Sequence, residues 1–136
     1  MVEIGYVKDG SVVIVRFNRP ERLNAYDLET LCTLAEFLEK LKSSSKVRIV
    51  VITGKGRSFS TGGDIHEMWS YIERDTIEEY FEKLTSCIER IVRSIIEMNK
   101  LVIAAINGPA YGGPFIAAIT SLFISIIDLT IRSIHE

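Results

Sequence analysis

The amino-acid sequence predicts an α/β fold built on a mainly parallel sheet. Two apolar, β-branched runs at residues 47–53 and 101–106 are typical of buried strands, and long helical patterns separate them. Each run leads into a turn with two adjacent glycines, Gly62-Gly63 and Gly112-Gly113. Strands that alternate with helices indicate parallel pairing, because a parallel connection needs a crossover.

Length and composition are those of one globular domain, and we expect a single domain over residues 1–136. Hydrophobic residues make up 47% of the chain and charged residues 25%, as in ordinary globular proteins. The net charge of −2 gives no basic surface for nucleic acid, so we expect no such partner.

The cysteines and histidines fit no metal or redox spacing. Cys32 and Cys87 lie far apart on predicted helices among aliphatic residues, so we interpret them as reduced core thiols. His66 and His135 are the two histidines, and no Cys, Asp or Glu cluster accompanies them in the sequence. We therefore predict no metal site.

The long uncharged stretch between Lys100 and Asp128 raises the possibility of a membrane span. Polar, glycine and proline residues of segment 107–114 divide it, and the remaining apolar piece, 115–127, is shorter than the roughly 20 residues that a span needs. We predict a buried helix, or a helix and a strand, instead. No signal peptide opens the sequence, so we expect a cytoplasmic protein.

Taken in order, the chain opens with a predicted β-hairpin. Residues 4–8 and 11–17 flank Asp9-Gly10, a favoured two-residue hairpin turn. The alternation of apolar residues at Val13, Val15 and Phe17 predicts one buried face. A polar loop at residues 18–25 follows.

Three helix starts are predicted from capping residues. Asp27 precedes a helix whose apolar residues recur at helical spacing up to Ser43. Asp64 with Glu67, and Thr76 with Glu79, fit the capping-box pattern. The last of these helices extends to about Met98, and we predict that its apolar stripe is core. The stripe consists of Ile77, Tyr80, Phe81, Leu84, Ile88, Ile91, Ile95 and Met98.

The two glycine turns are the predicted functional sites. A strand, a glycine turn and a helix start bring unpaired backbone N–H groups and the positive end of a helix dipole to one point. Adjacent glycines let a ligand approach the backbone closely. Such a point can hold an anion, or a carbonyl oxygen on which negative charge develops.

Three stretches resemble the signatures of the crotonase, or enoyl-CoA hydratase/isomerase, superfamily. They are VRFNRPERLNA at residues 15–25, FSTGGDI at 59–65 and IAAINGPAYGG at 103–113. They occur in the family's order. The resemblance implies a crotonase-like (ClpP/crotonase) spiral of β-β-α units. Family members are about twice as long, so it covers only the N-terminal half, before the C-terminal helices that build the trimer.

The resemblance also implies a substrate, an acyl thioester of coenzyme A, with no separate cofactor. By position, the backbone N–H groups of Gly63 and Gly113 would hold the thioester oxygen as an enolate forms. The residues implied to bind the coenzyme A part are Arg22, Leu23, Ala25, Arg57, Thr61, Gly62 and Ile65. For Arg57, a solvated loop charge is an equal interpretation.

The sequence departs from the family pattern at the catalytic acids. The first hydratase glutamate is replaced by Ile116, which cannot transfer a proton. The second would fall near Glu136, the last residue, which is either the base or a frayed end. Double-bond isomerisation by one base is therefore favoured over two-glutamate hydration. The alternative is an inactive fragment or subunit that binds coenzyme A thioesters, or only assembles with a partner. We also expect a homo-oligomer, trimer or hexamer, or a partner subunit.

Overall fold

The computed structural model describes residues 1–112 and, for the backbone alone, residues 123–126. Its strands and α-helices are β1 (Val2–Val7), β2 (Val12–Phe17), α1 (Leu28–Leu41), β3 (Ile49–Gly54), α2 (Ile65–Glu73), α3 (Ile77–Glu97), β4 (Leu101–Ile106) and β5 (Phe123–Ile126). Short 3-10 helices span Lys8–Gly10 and Pro20–Arg22. The strand β5 falls inside the predicted apolar segment 115–127, whose other residues lie outside the described part.

In the described part, the strands form one sheet in the order β1-β2-β3-β4-β5. The first pair is antiparallel and the other three pairs are parallel, which confirms the predicted mainly parallel sheet. Because β2, β3 and β4 are parallel, their carboxyl ends meet at one edge. The loops that follow these strands carry the three signature stretches.

The core lies between one face of this sheet and the helices α1 and α3. Rows of small aliphatic side chains run across the strands, since Val13 pairs with Val50 and Val50 with Val102. All three are fully buried. From α1, side chains at helical spacing cover this face, namely Leu31, Leu34, Ala35, Leu38 and Leu41. The predicted alternation along β2 is confirmed.

The prediction of two reduced thiols was wrong, because Cys32 and Cys87 form a disulfide. Cys32 lies on α1 and Cys87 on α3, and their Cα atoms are 5.1 Å apart. The two cysteines are 55 positions apart, and a strand and a helix lie between them, so proximity arises only when α3 packs back on α1. Sequence spacing carries no sign of that packing.

The hairpin is confirmed, but its two-residue turn is not. Val7 pairs with Val12, which leaves four residues in the connection. Lys8, Asp9 and Gly10 all have positive φ. The Asp-Gly pair therefore sits within a longer loop, closed by a hydrogen bond from Ser11 N–H to the Lys8 carbonyl.

Some of the predicted helix caps are present in the structure and others are not. Asp27 caps α1, because its Oδ1 accepts a hydrogen bond from Thr30 N–H at 2.8 Å. Asp64 caps α2 through His66 N–H at 2.9 Å. The two capping boxes were wrong: Glu67 accepts instead from Leu28 N–H, at the start of α1, and Thr76 makes no side-chain cap. Glu67 thus joins two helix starts.

The apolar stripe of α3 is only partly core. Tyr80, Ile91 and Ile95 are buried, whereas Phe81 is 48% exposed. The buried residues of α3 do not follow the whole predicted stripe, and Phe81 faces outward. Within residues 1–112 and 123–126, no helix combines the length and hydropathy of a membrane span.

Candidate functional site

Three signature stretches form one short ladder beyond the sheet. Tyr26 N–H donates to the Gly62 carbonyl, and Asp64 N–H donates to the Tyr26 carbonyl. On the other side, Phe59 and Ser60 N–H groups donate to the Pro109 carbonyl, and Tyr111 N–H returns a bond to Ser60. Segment 58–64 is therefore held between segments 23–26 and 107–112. We call these three segments together the glycine-turn edge.

Two asparagine side chains fix the middle segment from both sides. The Asn24 amide, which is 1% exposed, donates to the carbonyls of Lys55 and Ser58 at 2.9 Å each. The Asn107 amide donates to Gly56 and to the same Ser58 carbonyl, at 2.9 and 3.1 Å. Each asparagine also accepts a backbone N–H, from Arg19 and from Gly54 respectively. Because buried amides are costly unless bonded, these networks specify one loop conformation.

Two glycines at strand ends allow the loop to approach. A Cβ added to Gly54 would overlap the Ser58 and Phe59 carbonyls, and one added to Gly108 would overlap the Arg57 carbonyl. Both positions thus need glycine because backbone occupies the side-chain space. The loop of residues 57–59 lies directly on the strand ends for this reason.

Asp64 anchors the start of α2 at this edge. Its carboxylate pairs with Arg19 at 2.7 Å. Burial alone would raise the pKa of Asp64, but the hydrogen bonds from His66 N–H and Arg19 outweigh it and lower the pKa below the ordinary value. Asp64 is therefore an ionised helix cap directly after the Gly62-Gly63 turn, and its predicted capping role is confirmed.

The two predicted turns lie against each other. A Cβ on Gly62 would be 3.4 Å from the Tyr111 carbonyl oxygen, and a Cβ on Gly112 would be 3.8 Å from Gly62 Cα. Gly62 has a φ of 97° and Gly112 one of 65°, which suit glycine. Among the described residues, none accepts a hydrogen bond from Gly63 N–H, just ahead of the α2 N-terminus. That donor has the arrangement expected of an anion or carbonyl site. Gly113 lies outside the described residues.

Glu67 and Tyr80 are titratable residues close to the turn in the chain or in space, and the sequence analysis did not assign them to the site. Burial raises the pKa of the Glu67 carboxyl, against the hydrogen bond from Leu28 N–H. Burial also raises the pKa of Tyr80 to about 12. A Cβ on Gly63 would lie 3.0 Å from the Tyr80 hydroxyl oxygen. In the sequence both residues fit helical patterns, and no spacing between motifs indicates that they lie near the Gly62-Gly63 turn.

The residues predicted to bind coenzyme A line the same loops. Arg22 and Arg57 are exposed, and their loops touch, since a Cβ on Gly56 would be 3.2 Å from Pro20 Cβ. Leu23 has a φ of 52°, rare for a bulky residue, and its carbonyl accepts from Thr61 N–H and Oγ1. Ala25 is half-buried.

Ile65 is 71% exposed and begins the outer face of α2, where Trp69 is 59% exposed. Ile116 and Glu136, on which the reaction type depends, fall outside the described residues. In residues 1–112, His, Cys, Asp and Glu side chains form no group of three that could hold a metal ion.

A cleft of about 670 Å³ lies at the opposite end of the sheet, where β3 and β4 begin. Two of its basic residues are already engaged: Lys42 binds Glu97, and Lys100 donates to the Ser44 and Val47 carbonyls. In open parallel sheets, ligands bind at the carboxyl ends of the strands. The glycine-turn edge is at that end, and it is the candidate functional site.

Comparisons with known proteins support the family resemblance of the three signature stretches. Residues 7–128 match the family model described as enoyl-CoA hydratase/isomerase. A probable enoyl-CoA hydratase of Mycobacterium bovis is 32% identical over 109 residues, which is 79% of this chain and 38% of that protein. A short-chain-enoyl-CoA hydratase of Clostridium acetobutylicum is 38% identical over 107 residues, 78% of this chain and 39% of that protein.

The fold agrees as well. The crystal structure of a putative enoyl-CoA hydratase from Streptomyces coelicolor superposes with a TM-score of 0.79 at 28% identity, covering 90% of this chain and 44% of that one. The predicted crotonase-like fold, a spiral of β-β-α units, is thereby confirmed. The chain spans less than half the length of these relatives and matches their N-terminal portion.

Proposed function

Because this chain belongs to the enoyl-CoA hydratase/isomerase family, we propose that it binds an acyl thioester of coenzyme A at the glycine-turn edge. The observation that carries this proposal is the contact between the two glycine turns, with the Gly63 N–H free of any described acceptor. The thioester oxygen would accept from Gly63 and, at the second turn, from Gly113. The positive end of α2 supports the same oxygen.

The chemistry of this arrangement is enolate stabilisation. When the α-proton of a thioester leaves, its electron pair moves into the carbonyl and charge grows on the oxygen. Donors that are already in place strengthen as that charge grows, so they favour the enolate over the neutral ester. Removal of one such donor typically costs about 10²–10³ in rate.

The reaction we favour is a double-bond shift rather than hydration. A two-glutamate hydration needs an acid at position 116, where this chain has Ile116. One carboxylate, for which Glu136 is our choice, could remove the α-proton and return it at the γ-carbon. The same isoleucine supports a second candidate, a protein that binds coenzyme A thioesters without turnover.

The coenzyme A end would follow the paired loops. Arg22 and Arg57 are exposed on loops that touch, so both can meet phosphate in solvent. Leu23, Ala25, Thr61, Gly62 and Ile65 would line the rest of the path. The exposed aliphatic side chain of Ile65 suits contact with a flat base.

We propose further that residues 1–136 act as one domain, in a homo-oligomer (trimer or hexamer) or with a partner subunit. Exposed apolar side chains support an assembly, among them Trp69 and Ile96, which are 59% and 67% exposed. We keep the cytoplasm as the proposed compartment. The Cys32–Cys87 disulfide argues against an ordinary reducing cytosol and limits this proposal to a cytoplasm in which such bonds persist, as in hyperthermophiles.

Calorimetric titration of the purified chain with crotonyl-CoA and with free coenzyme A tests the function, followed by assays of hydration and of the double-bond shift. We expect both ligands to bind and the double-bond shift to occur. Turnover lost in Glu136→Gln would support the one-base enzyme. Binding without turnover would support the non-catalytic candidate, and absence of binding would contradict both.

A matched pair of arginine variants tests the phosphate contacts. Arg57→Ala should weaken free coenzyme A by about 3- to 10-fold at low salt, in line with the loss of one exposed charge contact. Arg93→Ala is the control, because Arg93 is exposed on α3 and pairs with Glu89. Equal affinities for the two variants would leave Arg57 as a solvated loop charge.

A further inference from the structure

Tyr80 is a buried tyrosine whose hydroxyl has no evident structural use. It lies in the first turn of α3 and is 0% exposed. Its ring packs between Tyr71 and Phe81, at centroid distances of 5.3 and 5.5 Å. A phenylalanine would make the same ring contacts, so packing alone does not explain the hydroxyl.

In the described part of the chain, no group makes a hydrogen bond with the Tyr80 hydroxyl. A buried donor without a partner is costly, and tyrosine hydroxyls that are buried usually have one. The neighbouring carboxylates do not fill this role, because Glu67 is bonded to Leu28 N–H and Asp64 to His66 and Arg19. The Tyr80 hydroxyl is thus a buried donor that could form a hydrogen bond with a ligand.

The position of this hydroxyl links it to Gly63. A Cβ on Gly63 would lie 3.0 Å from the Tyr80 oxygen, so the hydroxyl borders the space that a side chain at position 63 would fill. An oxygen that accepts from Gly63 N–H sits about 2.9 Å from that nitrogen. Two unused donors, one from backbone and one from a side chain, therefore flank the same glycine.

The protonation of Tyr80 suits a donor and not a base. Burial, followed by the influence of Glu67, Tyr26 and Asp64, raises the pKa of Tyr80 to about 12. The phenol is therefore neutral across the physiological range and keeps its proton. Because the surrounding carboxylates oppose its ionisation, it can stabilise charge on a bound oxygen without itself becoming charged.

We propose that the Tyr80 hydroxyl is a further hydrogen-bond donor to the thioester oxygen, beside the backbone donors of the glycine turns. The inference rests on the proposed function and deepens it. No proton is transferred from Tyr80: the α-proton goes to a separate base, the electron pair moves to the thioester oxygen, and the phenol O–H bonds to the resulting enolate. Tyr80 thereby stabilises the enolate more than the neutral thioester.

The test uses acetoacetyl-CoA, whose enolate absorbs in the near ultraviolet and can be titrated without turnover. The full chain is titrated with acetoacetyl-CoA and with free coenzyme A, which has no acyl oxygen, in the wild type and in Tyr80→Phe. Tyr71→Phe is the matched control, because it removes a hydroxyl from the adjoining ring away from Gly63.

We expect the bound wild type to favour the enolate, and Tyr80→Phe to weaken that preference by about 10- to 100-fold, the value of a hydrogen bond to a charged group. Free coenzyme A should bind both variants and the wild type equally. The melting temperature of Tyr80→Phe should be unchanged or higher, since the variant loses only an unpartnered hydroxyl. 3-Fluorotyrosine at position 80, a more acidic donor on the same ring, should strengthen the preference.

An enolate preference that survives in Tyr80→Phe would overturn the role of Tyr80 while leaving the proposed function intact. A wild type that binds acetoacetyl-CoA without favouring its enolate would overturn both the role of Tyr80 and the proposed enolate stabilisation, and would leave only thioester binding. If the wild type binds neither acetoacetyl-CoA nor free coenzyme A, the proposed function fails and the inference fails with it.

Discussion

The glycine-turn edge and the α1–α3 layer hold their parts of the molecule together by different means. At the edge, backbone hydrogen bonds, the side-chain amides of Asn24 and Asn107, and close-fitting glycines fix segment 58–64. The layer, by contrast, rests on buried aliphatic side chains, a disulfide and a bidentate pair between Arg90 and Glu39. The glycine-turn edge depends on individual hydrogen bonds and close backbone contacts, whereas the α1–α3 layer depends mainly on the apolar surface that it buries.

This difference indicates where substitutions should affect binding. Aliphatic packing is spread over many side chains, so a change in the layer should lower stability with little effect on the distant turns. The edge has few alternatives for each contact, because the Asn24 and Asn107 side-chain amides are both hydrogen-bonded to the Ser58 carbonyl. A change there should alter both stability and ligand binding.

The largest effect is expected for Gly108→Ala. The added Cβ would overlap the Arg57 carbonyl, and loop 57–59 would have to leave the strand ends. We expect a loss of about 4 kcal/mol in unfolding free energy, at the extreme for single substitutions, together with loss of thioester binding. Urea unfolding measures it. Gly5→Ala is the control, since its Cβ would meet only Arg16 at 3.6 Å and should cost under about 1 kcal/mol. Equal losses would contradict the close fit.

Removal of the disulfide comes next. Cys32→Ser with Cys87→Ser should cost about 3 kcal/mol, because the unfolded chain regains the freedom of a long loop. Thioester affinity should stay within about twofold, since neither residue is at the edge. Thermal melting with and without reductant measures the effect, and the double variant should be insensitive to reductant. A binding loss as large as that of Gly108→Ala would break the distinction between the two regions.

Asn24→Ala should cost about 2 kcal/mol and weaken thioester binding, because the carbonyls of Lys55 and of buried Ser58 each lose a donor. Asn99→Ala is the control at an exposed position. Since Asn24 and Asn107 share the Ser58 carbonyl, a double-mutant cycle should give a coupling of about 1 kcal/mol. Additive effects would mean that the two amides act independently.

The smallest effect concerns pH and Asp64. The folded-state pKa of Asp64 is lowered, so its ionised form contributes stability above the ordinary carboxyl range, and this contribution is lost as the pH falls through the folded pKa. Asp64→Asn keeps a capping oxygen but loses the charge near α2, about 1 kcal/mol at neutral pH. Unfolding measured from pH 7 down to pH 3 should show a shallower acid loss in the variant. Parallel curves would assign the acid sensitivity to other carboxylates.

The sequence predicted the features that depend on local pattern. Strand alternation in β2, the Asp27 cap and the Gly62-Gly63 turn all follow from nearest neighbours along the chain, and the structure contains them. The signature stretches identified the family, which the comparisons confirm.

Features that depend on three-dimensional packing could not be predicted. The Cys32–Cys87 bond requires α3 to return over α1, and Glu67 finds its partner at a helix start 39 residues away. Asn24 and Asn107 looked like ordinary loop residues, although an asparagine in two of three converging signatures is a usable signal. Nothing in the sequence predicted a role for Tyr80 at the site. Its ring fits the apolar stripe of α3, and only its hydroxyl is unexplained by packing.

The most direct test of the central claim is the amide NMR spectrum of Gly63. Glycine-specific ¹⁵N labelling gives nine backbone signals, one for each glycine, and Gly63→Ala identifies the relevant one. We predict that crotonyl-CoA shifts the Gly63 amide proton downfield, as a new hydrogen bond requires, whereas free coenzyme A leaves it in place. A Gly63 signal that stays unmoved while crotonyl-CoA binds would contradict the assignment of the thioester oxygen to this turn.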